Sequence, residues 1–315
     1  MAKYSLVIHG GAGTILKEDM TPDLEAAYRS ALHEALDAGY VVLERGGGAV
    51  EAAREAVIRM EDNILFNAGR GSVFTSAGVH EMDAAIMDGA SGQAGAVAGV
   101  RNIRNPIALA EAVMLHSNHI FLSGEGAREF ALTQGLQLEP DEYFFSQFRF
   151  DQWRLLRDSD RYELDHQGGP GHPLTDKKFG TVGAVACDRS GNLAAATSTG
   201  GMTNKAYGRI GDSPIIGTGT YARNQTCAVS CTGHGEIFIR AVAAHDVSCL
   251  MEYRHLDLQQ ACEEVVLKKL VELKGEGGLI AVDASGNMAM VFNSAGMYRG
   301  CRSSDGNRQI AIYRN

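Results

Sequence analysis

A threonine stands where a polar, turn-rich stretch meets a strand. Residues 158-DSDRYELDHQGGPGHPLTDKKFG-180 run without periodicity into 181-TVGAVAC-187. Cleavage before Thr181 would place a hydroxyl and a free α-amine on one residue. The amine then serves as general base for its own hydroxyl. With a reference pKa of about 7.7–8.0, it keeps a useful neutral fraction near neutral pH. By itself the junction fits an ordinary β-branched strand residue after a loop better than it fits a nucleophile. Thr199 follows the second arm of a hairpin, 182-VGAVACDRSGNLAAATS-198, which runs back toward Thr181 and so brings a second hydroxyl near the first. In 231-CTGHGE-236, Thr232 and Gly233 sit at a strand-to-helix turn. Backbone N–H groups and the positive helix end there suit an oxyanion. A phosphate-binding turn competes, but this turn has no lysine and the chain no Walker pattern. Arg209 and Asp212, in 208-GRIGDSP-214, are an opposite-charge pair suited to an amino-acid zwitterion, or a surface ion pair in a glycine-rich loop.

Four segments, 7-VIHGGAG-13, 66-FNAGRGSVF-74, 180-GTVGAVACD-188 and 197-TSTGGMTNKAYGRIGDSP-214, with 231-CTGHGEIFIRA-241 following in order, carry a resemblance to a known family. The chain resembles the plant-type asparaginases and isoaspartyl peptidases, which are N-terminal-nucleophile threonine hydrolases, from residue 6 to about residue 299. The resemblance implies autocleavage between Gly180 and Thr181, giving subunits 1–180 and 181–315 of one domain, with 158–179 as a mobile linker. It also implies hydrolysis of L-asparagine and β-aspartyl dipeptides through a covalent β-aspartyl ester on Thr181. Thr199 would assist the nucleophile, and the Thr232 hydroxyl and Gly233 N–H would form the oxyanion hole. Arg209, Asp212, Asn67, Gly233 and Gly235 would hold substrate. His9, Gly10 and Gly11 would abut the scissile linkage. His9 is expected to be a packed or capping residue, because the threonine amine already fills the role of base.

The same resemblance implies a sodium ion held by backbone carbonyls of Met60, Glu61, Asn63, Phe66, Ala68 and Arg70, no organic cofactor, and a dimer of αβ heterodimers. Arg70 departs from the small or aliphatic residue expected in that loop. Thr218 and Thr220 stand where relatives usually carry alanine, and Arg223 replaces a small acidic or amide residue. A glycosylasparaginase shares this nucleophile chemistry, and a non-catalytic glycine-rich binding protein is the rival of another class.

The chain has 315 residues and a net charge of −9, which argues against general nucleic-acid binding. No apolar run approaches the roughly 20 residues that span a bilayer. The first residues have too short an apolar run for a signal peptide. Six cysteines lie in the second half, mostly within apolar runs, and are expected to be buried thiols in a cytoplasmic protein. Cys227, Cys231 and His234 have loose metal-like spacing without a fourth ligand. HExxH and GxSxG are absent, and HGGAG lacks the full dinucleotide fingerprint.

The elements that must position these residues read as follows. A strand at about 4–8 enters the HGGAG turn. Thr21 and Pro22 open a helix that Gly46 ends. Helices follow at 49–61, from Pro106 to about 116, from near Glu125, and from Pro140 through Trp153. Strands are expected at 82–88, 94–100, 119–123 and 226–231. Two hairpins, 182–198 and 279–293, share Asp-x-Ser-Gly-Asn turns. Helices at 235–251 and about 256–273 complete the second half. Two central sheets flanked by helices would bury this much alanine and valine, and the resemblance implies an α+β, four-layer αββα sandwich.

Overall fold

The computed structural model describes residues 3–157 and 180–314; the linker expected at about 158–179 lies outside the described residues. The chain is mixed α/β with two sheets. Its strands are β1 (Ser5–Gly13), β2 (Met82–Asp88), β3 (Ala94–Val100), β4 (Phe121–Ser123), β5 (Val182–Cys187), β6 (Leu193–Thr199), β7 (Thr220–Ala222), β8 (Cys227–Gly233), β9 (Gly277–Asp283), β10 (Met288–Phe292), β11 (Gly296–Ser303) and β12 (Arg308–Tyr313). Eight strands form one sheet in the order β12-β11-β1-β5-β6-β2-β3-β4, and four form the other, β10-β9-β8-β7.

Helices α1 (Pro22–Glu44), α2 (Ala49–Glu61), α3 (Pro106–His116) and α4 (Gly124–Thr133) arise in the first half. Thr21 caps α1 by accepting from Leu24 N at 3.3 Å, with Pro22 in the first turn. The expected helix from Pro140 is two pieces, α5 (Asp141–Phe144) and α6 (Gln147–Leu156). The chain turns at Phe145 and Ser146. Phe145, Phe150 and Trp153 then converge on Phe74, at ring separations of 6.2, 5.9 and 5.8 Å.

The second half contains α7 (Gly235–Ala241), α8 (Ala243–Arg254) and α9 (Leu258–Glu263), the last continued by a π-helical turn at Glu264–Lys269 and by α10 (Leu270–Glu272). The helix expected over 235–251 breaks at Val242, whose φ is 48°. The first N–H groups of α8 explain the break. Ala244 N and His245 N donate to the carbonyls of Thr218 and Gly217 at 3.1 and 2.8 Å, so a loop distant in sequence fixes where α8 begins. Strands β11 and β12 have no counterpart in the sequence-based expectations. Their arginines and glycines mask the apolar alternation, and β11 is held by pairing with β1 and β12.

Three apolar clusters run through the molecule. One joins the first-half helices to β1, β2, β5 and β6 through residues such as Leu6, Ile8, Leu36, Val57, Ala184 and Ala196. A second lies between the sheets, with Val7, Val185, Ala195, Ala228, Ile280 and Val282. The third packs α7–α9 on the other face of the small sheet at Cys227, Val229, Leu279 and Ala281. β5 and β6 are buried at every position. Strands covered on both faces read as continuous runs of small apolar residues rather than as alternation, which is what TVGAVAC and LAAATST show.

Both hairpin turns form as expected. Asp188 Oδ1 accepts from Ser190 N and Asn192 N at 2.8 and 3.0 Å, and Asp283 Oδ1 accepts from Ser285 N and Asn287 N at 2.9 Å each. All six cysteines are free thiols, five of them buried and Cys249 half-buried. Among the described residues no helix is long and apolar enough to cross a membrane.

Candidate active site

The β5–β6 ladder pairs Val182 with Ser198, so the residues just beyond the pair, Thr181 and Thr199, face one another. Thr181 Oγ1 donates to Thr199 Oγ1 at 3.1 Å. Thr199 Oγ1 also accepts Gly201 N–H at 2.9 Å. Thr199 is buried, Thr181 half-buried, and Gly180 buried.

Gly180 packs on Asn67. A side-chain carbon at Gly180 would overlap Asn67 Cβ, so only glycine passes here. Asn67 joins two loops: its Nδ2 donates to Gly201 O at 2.7 Å, its Oδ1 accepts Val73 N–H at 3.0 Å, and its carbonyl accepts Gly200 N–H at 2.8 Å. Asn67 thus lies against Gly180, the residue before Thr181. Gly10 is closed in by Phe66 and Tyr298, while Gly11 has a φ of 113° and marks the bulge in the β1–β11 ladder.

Thr232 and Gly233 end β8, on the small sheet. Thr232 is fully buried, and its Oγ1 accepts Ala12 N–H at 3.3 Å. That bond uses a lone pair and leaves the hydroxyl hydrogen to donate. Gly233 has a φ of 149°, and its pairing with Gly277 requires two glycines in close approach. The strand-to-helix turn then leads into α7 at Gly235.

Gly235 separates the two charged groups of the expected substrate grip. A side-chain carbon there would stand 2.8 Å from Arg209 Nη2 and 3.0 Å from Asp212 Oδ1. Arg209 does not bond Asp212 as the sequence pairing suggested. Its Nε and Nη2 donate to Glu236 Oε1 and Oε2 at 2.8 and 3.0 Å. Burial acts most strongly and raises the Glu236 pKa, but the hydrogen bond and charge of Arg209, with a backbone hydrogen bond and the charge of His234, together hold that carboxylate below its ordinary value. Asp212 is buried, and its Oδ2 has no hydrogen-bond partner. Burial pushes its pKa up to about 7, against the lowering influence of Arg209. A buried carboxyl with an orphaned oxygen has the chemistry to accept from a cation, and an arginine beside it the chemistry to donate to a carboxylate. A cleft of about 370 Å³ opens next to it, lined by Met202, Lys205, Ala206, Tyr207, Arg209 and Glu236.

Thr218 and Thr220 turn inward. Thr218 Oγ1 donates to Asp212 O and Ile215 O at 3.0 Å each, and Thr220 Oγ1 to Ser213 O at 3.0 Å, so both brace the loop carrying Asp212. Arg223 pairs with Glu252. Sequence reasoning missed Glu236, Ser230 and Lys205. Glu236 lies one residue after Gly235 in the CTGHGE run, and its carboxylate was the available signal.

The segment from Met60 to Arg70 begins in the last turn of α2 and curls on two glycines. Side-chain carbons at Gly69 and Gly71 would meet the carbonyls of Glu61 (at 2.5 Å) and Phe66. The carbonyls of Met60, Asn63 and Ala68 each accept one backbone N–H, at 3.2–3.3 Å. Arg70 reaches out over the Tyr143 ring at 5.4 Å. The Glu61 side chain points elsewhere: its Oε1 accepts from Ser198 Oγ at 2.6 Å and from Ile107 N at 3.0 Å.

Burial raises the Glu61 pKa from 4.5 to about 8. The folded chain thus keeps a proton across that window which the unfolded chain has lost, and its stability falls as pH rises through it. Glu61→Gln is expected to keep the fold and remove this slope. Thermal unfolding at pH 5 and pH 8 checks it: the midpoint should drop more between these pH values in the parent than in the variant.

A family profile described as asparaginase matches residues 2–312. The isoaspartyl peptidase of Salmonella typhimurium is 50% identical over 314 residues, covering all of both chains. That of Escherichia coli is 49% identical over 315 residues, all of this chain and 97% of its own. The human isoaspartyl peptidase/L-asparaginase is 40% identical over 298 residues, 93% of this chain and 91% of its own. A threonine at the head of a doubly covered strand, a second threonine in contact with it, and a full-length match agree: this chain belongs to the asparaginase family.

Proposed function

We propose that the protein is an autoprocessed threonine amidohydrolase that cleaves β-aspartyl dipeptides and L-asparagine. The observation that carries the reading is the orphaned, buried Asp212 carboxyl across Gly235 from Arg209, on a chain whose Thr181 hydroxyl meets Thr199. Asp212 receives the substrate ammonium, and Arg209 receives its α-carboxylate. The aspartyl side-chain carbonyl is thereby presented to Thr181.

Cleavage of the Gly180–Thr181 peptide frees the amine that activates Thr181. The hydroxyl proton passes to that amine. Thr199 Oγ1 already accepts Gly201 N–H, so its own hydrogen turns to donate to the attacking oxygen. Thr181 Oγ1 bonds to the side-chain carbonyl carbon, and the oxyanion is held by the Thr232 hydroxyl and Gly233 N–H. Collapse expels the leaving amine with the proton from Thr181 N, leaving a β-aspartyl ester. Water, deprotonated by the same amine, then releases aspartate and restores Thr181. The cleft beside Arg209 is open to the leaving group.

The three apolar clusters suit the four-layer αββα arrangement. The carbonyls crowded at Gly69 and Gly71 suit an alkali cation, a hard ion that takes oxygen ligands. Carbonyls from Met60, Glu61, Asn63, Phe66, Ala68 and Arg70 would hold it, and its charge would fix the loop that carries Asn67. Free buried thiols fit a reducing, cytoplasmic setting. Assembly as a dimer of αβ heterodimers belongs to the same proposal, and light scattering of the processed protein reads it.

Hydroxylamine trapping during turnover tests the chemistry. Aspartyl β-hydroxamate should form, and rapid-quench mass spectrometry should find the fragment beginning at Thr181 carrying an added aspartyl group. Turnover with neither product would make direct water attack the better mechanism. Arg209→Ala in a processed, folded variant is expected to lose kcat/KM by an amount equivalent to about 2–5 kcal/mol, the scale for truncating one side of a desolvated charge contact. Steady-state kinetics on a β-aspartyl dipeptide measures it, and an unchanged kcat/KM would remove Arg209 from the site.

A further inference from the structure

His9, expected as a packed or capping residue in a turn that abuts the scissile linkage, is buried and bonds Thr181 through its ring. It is fully buried in β1, opposite Gly183 of β5. Its Nδ1 lies 3.1 Å from Thr181 O, and its Nε2 lies 2.9 Å from Ser230 Oγ on β8. Ser230 Oγ is 2.7 Å from Thr197 Oγ1, and Thr220 Oγ1 donates to Thr197 Oγ1 at 2.7 Å. These are buried groups in the space between the sheets.

The direction of each bond follows from the Thr181 end. A carbonyl only accepts, so Nδ1 carries the hydrogen. Burial lowers the His9 pKa to about 3, which leaves the ring neutral and its Nε2 bare. Ser230 must then donate to Nε2, Thr197 to Ser230, and Thr220 to Thr197. Thr197 then turns its hydrogen away from Gly219 O, 3.3 Å from its Oγ1, and Thr220 shares its one hydrogen between Thr197 Oγ1 and Ser213 O.

Gly183 supplies an independent observation. A side-chain carbon there would overlap both Ser230 Oγ and His9 Nε2, so the His9–Ser230 bond passes directly over this glycine. The glycine in 181-TVG-183 is required by that crossing.

We propose that His9 is a positioning residue for Thr181, the last member of a one-way hydrogen-bond chain, Thr220–Thr197–Ser230–His9, that ends on the Thr181 carbonyl. Fixing that carbonyl sets the rotation of the Thr181 backbone and so aims its amine and hydroxyl. The other end reaches the substrate loop, where Thr220 also contacts Ser213 O, next to Asp212. The inference rests on Thr181 being the nucleophile.

Two amide replacements divide the two halves of the imidazole. Asparagine at position 9 places an N–H donor near the Nδ1 position, and glutamine places its amide near Nε2. His9→Gln is expected to lose kcat by between about tenfold and 100-fold, the scale of a misplaced reacting group, with KM unchanged. His9→Asn should recover most of that loss. Equal losses in both variants, or a change confined to KM, would overturn the proposal.

Nitrogen NMR of the intact protein with labelled histidine reads the chain without mutation. His9 should show a protonated Nδ1, a bare Nε2, and no titration between pH 5 and 9. The opposite tautomer, or titration in that range, would also overturn it. Thr181→Ala separates the two readings. If Thr181→Ala still turns over, the nucleophile assignment fails; if it is dead while His9→Gln matches the parent, only the role of His9 fails.

Discussion

Thr181→Ala is expected to remain a single uncut chain and to lose turnover altogether. The same hydroxyl is asked to attack two carbonyls, that of Gly180 during processing and that of the substrate side chain afterwards. Alanine removes the oxygen and little else: Thr181 is half-buried, and the described contacts of its hydroxyl reduce to the 3.1 Å bond with Thr199. Nucleophile deletion in acyl-transfer enzymes costs on the order of a million-fold in kcat. Intact mass separates the outcomes. The parent should give fragments ending at Gly180 and beginning at Thr181 without added protease, and the variant one mass. Efficient self-cutting by the alanine variant would sink both the processing site and the nucleophile.

Thr232→Val should fold, bind substrate and turn over about 100–1,000-fold more slowly, the usual effect of losing one oxyanion donor. Valine keeps the branched shape in a fully buried place on β8. It loses the acceptor for Ala12 N–H as well as the donor to the oxyanion, so some stability is lost too. The split between constants is the informative readout. A donor used only in the transition state lowers kcat and kcat/KM together and leaves KM nearly untouched. A rise in KM at constant kcat would instead place Thr232 in ground-state binding and leave the oxyanion to other groups.

Much of this molecule is legible in the residues. The turn glycines, the Thr21-Pro22 cap and the Asp-x-Ser-Gly-Asn hairpins are local, because their hydrogen bonds close within a few residues. Helix bounds at 49–61 and 106–116 match for the same reason, and the strand bounds at 82–88 and 94–100 match because turn residues flank their apolar runs. Thr199 beside Thr181 follows from hairpin pairing alone.

The features that escaped the sequence are those set by partners far along the chain. β11 has no clear alternation and exists because β1 and β12 pair with it. The break at Val242 follows from carbonyls of Gly217 and Thr218 capping the next helix. Arg209 meets Glu236, a residue 27 positions along the chain in α7, rather than Asp212. The family resemblance places His9 near the Gly180–Thr181 junction, but its bonds to the Thr181 carbonyl and to Ser230 depend on β1 lying beside β5 with the small sheet packed over both. Residue type and spacing thus decided which groups are candidates for the chemistry; which of them touch depended on sheet order, since a contact across hundreds of residues has no local signature.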